Sequence, residues 1–243
     1  MKVVTTIGGL KEVSDIIGSI TNEAKFEFES DGLHIRAIDS ARIAMVDLFV
    51  SSKNFTSYDV PEKTDLPMDM EKLRSVIRLG GSSDEITLIP GSGKIKFSMG
   101  NLSKSIALLE YGNINPPKLP SVNPENFVVI PKSQFDRGLK AAADVRDSVR
   151  FILAPDSFTI SSKSDSEDAE LRVDSTQYLE IKSSGEVKSS YPSDYLIKIL
   201  KSVGTAENLR ISFNNDYPLV IELEFPQTAG EKKVKFLLAP RME

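Results

Sequence analysis

The sequence predicts an α+β protein made of two topologically similar halves, and three observations carry that expectation. The chain repeats itself at a fixed offset, a proline-rich segment falls at its middle, and segments with strand and helix periodicity follow one another in the same order on either side.

The repeat is clearest in segments 26–36 (FEFESDGLHIR) and 151–161 (FILAPDSFTIS). Phe26 matches Phe151, Asp31 matches Asp156, Leu33 matches Phe158 and Ile35 matches Ile160, each pair 125 residues apart. Alternation of apolar and polar residues on both sides of the aspartate predicts two strands joined by a tight turn. A second match relates 70–78 (MEKLRSVIR) to 193–201 (SDYLIKILK) through Leu73 and Leu196. Ile86 likewise matches Leu209, and both of these pairs are 123 apart. Segment 112–126 (GNINPPKLPSVNPEN) contains four prolines, which exclude a helix or a central strand and predict a stiff, extended connection. The expected domains are therefore 1–111 and 127–243, with 112–126 as the linker; both are of ordinary domain size.

Strand-forming residues dominate 43–50, 86–89, 95–99, 105–110 and 219–225. Four segments carry apolar residues at helical spacing: Leu10, Val13, Ile17 and Ile20; Met70, Leu73 and Ile77; Phe135, Leu139 and Ala142; Leu196, Ile199 and Val203. Ser133 and Ser193 stand where a hydroxyl could cap the last two helices.

Composition removes several function classes. The chain of 243 residues has no cysteine, so disulfides, thiolate metal sites and cysteine nucleophiles are excluded, and its single histidine, His34, rules out histidine-rich metal sites. His34 has no evident nucleophile partner and reads as a structural residue. The N-terminal segment does not resemble a signal peptide, and no apolar run approaches membrane-spanning length, so an intracellular (cytoplasmic) protein is expected. Segment 90–94 (PGSGK) lacks the first glycine and the final Ser or Thr of a phosphate loop and reads as a hairpin turn; segment 165–168 (DSED) reads as a solvated loop. Nothing singles out a catalytic acid–base pair, and no cofactor or metal is expected.

The formal net charge of −5 argues against a nucleic-acid partner until the charges are placed. The four helical segments carry eight positive residues (Lys11, Lys72, Arg74, Arg78, Arg137, Lys140, Lys198 and Lys201) against five negative ones. The rest of the chain is strongly acidic. Arg137 with Lys140, and Lys198 with Lys201, are three apart and share a helix face, a pattern suited to phosphate contact without base reading. Taken alone, the pattern also fits ordinary solvated amphipathic helices.

Three stretches in order complete the reading: 31–46 (DGLHIRAIDSARIAMV), 218–222 (PLVIE) and 238–243 (LAPRME). With the duplication and the linker, they make the chain resemble the proliferating cell nuclear antigen family of DNA sliding clamps along its whole length. The short tail after Pro240 resembles archaeal members. The resemblance implies a DNA clamp fold of two βαββ units per half, and three subunits closing head to tail around sequence-independent duplex DNA. It implies no catalysis. The eight basic residues named above would face the DNA.

The resemblance also implies a partner-motif pocket at Ile38, Arg42, Ile43, Met45, Leu119, Pro120, Val122, Pro218, Leu237, Ala239 and Pro240. It would receive a short apolar and aromatic motif from DNA polymerase, flap endonuclease, DNA ligase and the clamp loader. The subunit interface is expected at two open edges, 103–111 with Lys104, Ile106, Leu108 and Glu110, and 170–176 with Leu171 and Val173. Alternatives within the sequence are a subunit of a heterotrimeric or checkpoint-type clamp, and a carboxylate-metal hydrolase with duplicated domains.

Overall fold

The computed structural model describes residues 1–110, 114, 116–226 and 229–241. Tyr111 of the first expected edge, three linker residues and the last two residues of the C-terminal motif lie outside the described residues. The chain divides into two compact units. Unit 1 comprises Met1–Ser40, Val46–Lys118 and Gln227–Val234; unit 2 comprises Ala41–Met45, Leu119–Pro226 and Lys235–Glu243.

In unit 1, strands β1 (Lys2–Thr6), β5 (Ser57–Asp59), β7 (Glu85–Gly91), β8 (Lys94–Met99) and β9 (Leu102–Ala107) form a sheet in the order β5-β1-β7-β8-β9. Strands β2 (Glu23–Glu29), β3 (Gly32–Ile38), β4 (Ala44–Ser51) and β6 (Thr64–Asp69) follow the order β4-β3-β2-β6. Helices α1 (Ile7–Gly18) and α2 (Met70–Ile77) pack against each other.

Unit 2 repeats this plan. Its strands are β10 (Phe127–Pro131), β11 (Ser148–Leu153), β12 (Phe158–Lys163), β13 (Asp168–Val173), β14 (Glu180–Lys182), β15 (Val187–Pro192), β16 (Asn208–Ser212), β17 (Leu219–Glu224) and β18 (Lys232–Leu238), the last begun by residues of unit 1. They run in the orders β14-β10-β16-β17-β18 and β13-β12-β11-β15, with α3 (Lys132–Val145) packed on α4 (Ser193–Ser202). Each strand of the second unit occupies the place of its counterpart in the first, so the duplication in the sequence is a duplication of topology.

The hairpins fall where the repeat places them. β2 and β3 are joined through Ser30 and Asp31, and β11 and β12 through 154–157. Phe26, Phe151, Phe158, Ile35 and Ile160 are buried at these matched positions, as is Leu33. Segment 90–94 turns β7 into β8, with Gly93 in the left-handed region at φ 67°. All the apolar helix positions expected from periodicity are buried, because each helix lays one stripe on the sheets.

The helix starts are a point of difference. Ser133 is exposed and lies inside α3, while Ser193 begins α4 and directs its hydroxyl to the Arg146 carbonyl at 3.4 Å. The residues preceding these helices are Pro131 and Pro192, which offer no side-chain cap. The first helical amides are instead satisfied by loop carbonyls of the paired helix's repeat. Lys132 N–H donates to Glu207 at 2.8 Å and Ser193 N–H to Asp147 at 3.0 Å. Unit 1 shows the same exchange, Ile7 to Asp84 and Met70 to Asn22, both at 2.9 Å. Four equivalent bonds expose a fourfold repeat beneath the twofold one. The sequence hides it because a loop that offers a backbone carbonyl as acceptor needs no particular side chain.

Unit 2 has an aromatic centre. The Phe151 ring lies 5.5 Å from Phe135, 5.5 Å from Phe158, 5.3 Å from Tyr191 and 6.0 Å from Phe213 between centroids. Tyr191 keeps its hydroxyl satisfied by donating to the Tyr217 carbonyl at 2.7 Å, and burial pushes its pKa well up.

On β2 and β6 of unit 1, a partly buried ionic network replaces apolar packing. Lys25 lies 3.1 Å from both Glu27 and Asp65, and Lys63 lies 3.1 Å from Glu27 and 2.8 Å from Glu29. Burial disfavours the Glu27 charge, but hydrogen bonds from Lys25 and Lys63 outweigh it and hold its carboxyl below the ordinary 4.5. A lowered folded-state pKa stabilises the fold above the unfolded value and loses that contribution as pH falls through the folded value. Glu27→Gln is therefore expected to cost about 1–3 kcal/mol at neutral pH, since it leaves two ammonium groups short of a partner. The gap from wild type should narrow as pH falls below 4.5. Urea unfolding of both chains at neutral and acid pH checks this; a gap independent of pH contradicts it.

Candidate nucleic-acid and partner surfaces

The helices place the basic residues first. With their apolar stripes turned to the sheets, α1 to α4 leave Lys11, Lys72, Arg78, Arg137, Lys140, Lys198 and Lys201 exposed. They are not equivalent. Lys11 is paired with Asp15, and Lys198 lies 3.7 Å from Asp194 and 5.5 Å from the centre of the Tyr195 ring. Among the described residues, Lys72, Arg78, Arg137, Lys140 and Lys201 have no acidic partner within ion-pair distance. These five are the cations available to an external anion.

Arg74 is half-buried, and its guanidinium lies across α1 at Gly18. A Cβ built on that glycine would come 1.8 Å from Arg74 Nη2. Its planar group therefore fastens α2 to α1 before it can serve a ligand. Lys132, just before the expected start of its helix, belongs to α3 and is bound to Asp136 at 2.5 Å, so it adds no free charge.

The expected edge residues fall into two groups. On β13, Leu171 is half-buried and Val173 fully buried. Leu171 lies against α3 so closely that a Cβ on Gly138 would come 2.6 Å from its Cδ2. These two side chains belong to the helix–sheet core, while Asp168, Glu170 and Arg172 are the exposed residues of the strand. On the other edge, β9 ends at Ala107, so Leu108 and Glu110 lie beyond it. The Leu108 amide still donates to Gly93 at 3.0 Å, in register with β8, whereas the Leu109 amide donates to Pro67 of β6 at 2.9 Å. Ile106 is buried. Lys104 donates from Nζ to Ser75 Oγ at 2.9 Å, binding β9 to the last turn of α2, where a cation is favoured. What both edges offer a second chain is mainly their backbone and their flanking charges.

Most of the expected partner pocket belongs to unit 2, where segment 41–45 joins residues far away in sequence. The Ala239 amide donates to the Ile43 carbonyl at 2.8 Å and fixes the tail beside the start of β4. Arg241 holds the tail from beyond, with N–H to the Ser190 carbonyl at 2.7 Å and Nη1 to Asp147 Oδ2 at 2.8 Å. Arg42 adopts a left-handed backbone, φ 58°, with its side chain exposed. Leu119 is 38% exposed and Pro120 is exposed, whereas Ile43, Val122, Pro218, Ala239 and Pro240 are half-buried. Met45 and Leu237 are 5% and 6% exposed, so they lie in the core of unit 2 beneath the surface residues. Ile38, 37% exposed, belongs to unit 1.

Sequence reading missed the anchors of this region. Asn126, at the linker's end, donates to Asn214 Oδ1 at 2.6 Å and accepts from Ser183 Oγ at 3.3 Å. Tyr191 reaches the carbonyl just before Pro218. No local pattern announces either residue, since both act across more than 20 positions of chain.

Comparison with known proteins matches this arrangement. The family model described as proliferating cell nuclear antigen, N-terminal domain, matches residues 4–101. A DNA polymerase sliding clamp of Thermoplasma volcanium is 40% identical over 239 residues, spanning 98% of this chain and 97% of the relative. The chain belongs to the DNA polymerase sliding clamp family. A second clamp, from Picrophilus torridus, is 40% identical over 238 residues, with 98% and 97% coverage. Among solved structures, the A. fulgidus PCNA with the C-terminal region of FEN-1 bound superposes with a TM-score of 0.91 at 28% identity. That match covers 100% of this chain and 98% of the other. Sliding clamps are processivity factors without catalysis, and the α+β fold with its duplicated sheets and four helices is the clamp fold. Among the described residues no helix is long and apolar enough to cross a membrane.

Proposed function

We propose that three copies of this clamp close head to tail into a ring around duplex DNA. The ring would hold replication and repair enzymes on their template. The observation that carries the reading is topological. β9 corresponds to β18 and β13 to β4, by the repeated strand order. β4 and β18 are flanked by backbone bonds, Ser51 N–H to Glu231 in unit 1 and Ala239 N–H to Ile43 in unit 2, both within 2.9 Å. Among the described residues β9 and β13 are the last strands of their sheets, and open ladder edges call for cover. A second copy supplies the missing strand to each, and a heterologous contact of this kind closes by rotation.

The flanking charges favour the same pairing. Beside β9, Lys94 and Lys96 are exposed; beside and on β13, Asp165, Glu167, Asp168 and Glu170 are exposed with Lys163 and Arg172. Opposite signs on the two edges select head-to-tail over head-to-head contact. The chain alone should run at three times 26.8 kDa. Its assembly should weaken roughly tenfold or more in sodium chloride raised from ~0.1 to ~1 M, as the screening length shrinks from about 10 to about 3 Å. Light scattering over a concentration series checks both. A mass of one chain at every concentration overturns the homotrimer, and restoration of mass by a second type of clamp chain would assign the hetero-ring instead.

In such a ring the free cations of α2, α3 and α4 would face phosphates without reading sequence, and the linkage to DNA would be topological. Each subunit would contribute two equivalent domains, 1–111 and 127–243 about linker 112–126, although segment 41–45 groups with the second unit and 227–234 with the first. For partners, a relative solved with the C-terminal region of FEN-1 bound supports a peptide-receiving surface here as well. We place it in unit 2, at Arg42, Ile43, Leu119, Pro120, Val122, Pro218, Ala239 and Pro240, with Met45 and Leu237 beneath. Polymerase, flap endonuclease, ligase and the clamp loader would share it, inside the cell and on DNA.

A further inference from the structure

We propose that the β2–β3 hairpin of unit 1 binds one divalent transition-metal ion of the zinc class through Glu29, Asp31 and His34. None of these three residues belongs to the basic set or to the partner-pocket set named above. One donor atom from each residue, two carboxylate oxygens and an imidazole nitrogen, falls within 4.8 Å of the other two. His34 Nε2 is already 3.0 Å from Asp31 Oδ1. Ligand atoms around a tetrahedral zinc ion lie roughly 3.3 Å apart, given bonds of about 2.0–2.2 Å. A small rotation of exposed side-chain tips reaches that spacing.

The scaffold beneath those tips is fixed independently of the cluster. The Asp31 carbonyl accepts from Ser52 N–H at 2.8 Å, and the Glu29 carbonyl accepts from the Tyr58 hydroxyl at 2.7 Å. Gly32 approaches the Val50 carbonyl so closely that a Cβ would come within 2.2 Å of its oxygen. The His34 ring rests on Phe49 with centroids 4.7 Å apart, which limits its rotation. A ligand set held on a two-residue turn loses little freedom on binding.

A cation already sits at one corner. Lys63 Nζ is 2.8 Å from Glu29 Oε1 and 3.1 Å from Glu27 Oε1. A metal ion would displace it from Glu29 and leave it on Glu27, so Lys63 acts as the competitor for the site. The imidazole selects zinc, cobalt or nickel over magnesium and calcium, which take oxygen ligands. With three protein ligands, water would fill the remaining position.

The single histidine makes the test direct, since every imidazole signal in the spectrum belongs to His34. Zinc chloride is titrated into the full chain, with calorimetry for stoichiometry and proton NMR for the ring. One ion per chain and a saturable shift of the His34 resonances are expected. His34→Gln and Asp31→Asn should each weaken binding roughly tenfold or more. Lys63→Gln should tighten it about threefold or more, an effect that a disturbed fold would not produce. The proposal is overturned if binding does not saturate below about 1 mM. It is equally overturned if magnesium shifts the ring as zinc does, or if zinc affinity is indifferent to His34→Gln and Lys63→Gln.

Discussion

Phe151→Ala is expected to destabilise unit 2 by about 3–5 kcal/mol, the range for removing a fully buried phenylalanine. The side chain is completely buried, and four aromatic rings surround it within 6.0 Å between centroids. Edge-to-face contact with Phe135 and Phe158 adds to the loss, at about 0.5–1.5 kcal/mol per pair. The rings come from α3, β11, β12, β15 and the turn after β16, so a cavity at Phe151 loosens helix and sheet together. In urea the midpoint should fall by about 1–3 M with the slope unchanged. A shift worth less than about 1 kcal/mol would mean that the cluster is not packed as described. The matched Phe26 is equally buried, but no other ring lies near it among the described residues, so Phe26→Ala should show the cavity cost without the ring–ring contribution.

Reversing two free cations, Arg137→Glu with Lys140→Glu, should lower the affinity of assembled clamp for DNA about 100-fold or more at low salt. It should also flatten the salt dependence, because each phosphate contact contributes a slope of about 0.9. In a ring of three copies each substitution acts three times. Lys11→Gln should matter far less, by about threefold or under, since Lys11 already lies against Asp15 and one neutralised charge per copy compares with two reversed ones. Fluorescence anisotropy with short duplexes, and retention on closed circular DNA, measure the two components separately. Equal effects from Lys11→Gln and the double reversal would remove the distinction between paired and free cations, and with it the assignment of the α3 face to DNA.

The two substitutions show how differently the sequence speaks about core and surface. That Phe151 and Phe26 are interior follows from the repeat and the alternation around them. That one sits in an aromatic cluster and the other does not depends on partners contributed by distant strands. Likewise the eight helical cations are legible as a set, but their availability is not. Arg74 is taken up by packing over Gly18, Lys198 by Asp194 and Lys11 by Asp15. Leu171 illustrates the same limit at the edge. Its alternation with charged residues marks a half-buried strand without saying which side faces α3 and which would face another chain.

The amino-acid order alone determined the duplicated α+β plan, the four helices with their buried stripes, the proline-rich division and the concentration of positive charge on helical segments. Each is a matter of periodicity or of residues that restrict the backbone, and these act over a few positions of chain. The tertiary structure decided the reciprocal amide–carbonyl bonds at the helix starts, the anchoring of the tail at Ile43, the ion pairs that withdraw some lysines, and the union of Glu29, Asp31 and His34 with Lys63. The helix-start bonds, the tail anchor and the reach of Lys63 to Glu29 join residues tens of positions apart; the lysine pairs and the Glu29, Asp31 and His34 group are close in sequence, but which side chains meet is set by folded geometry and leaves no periodic trace.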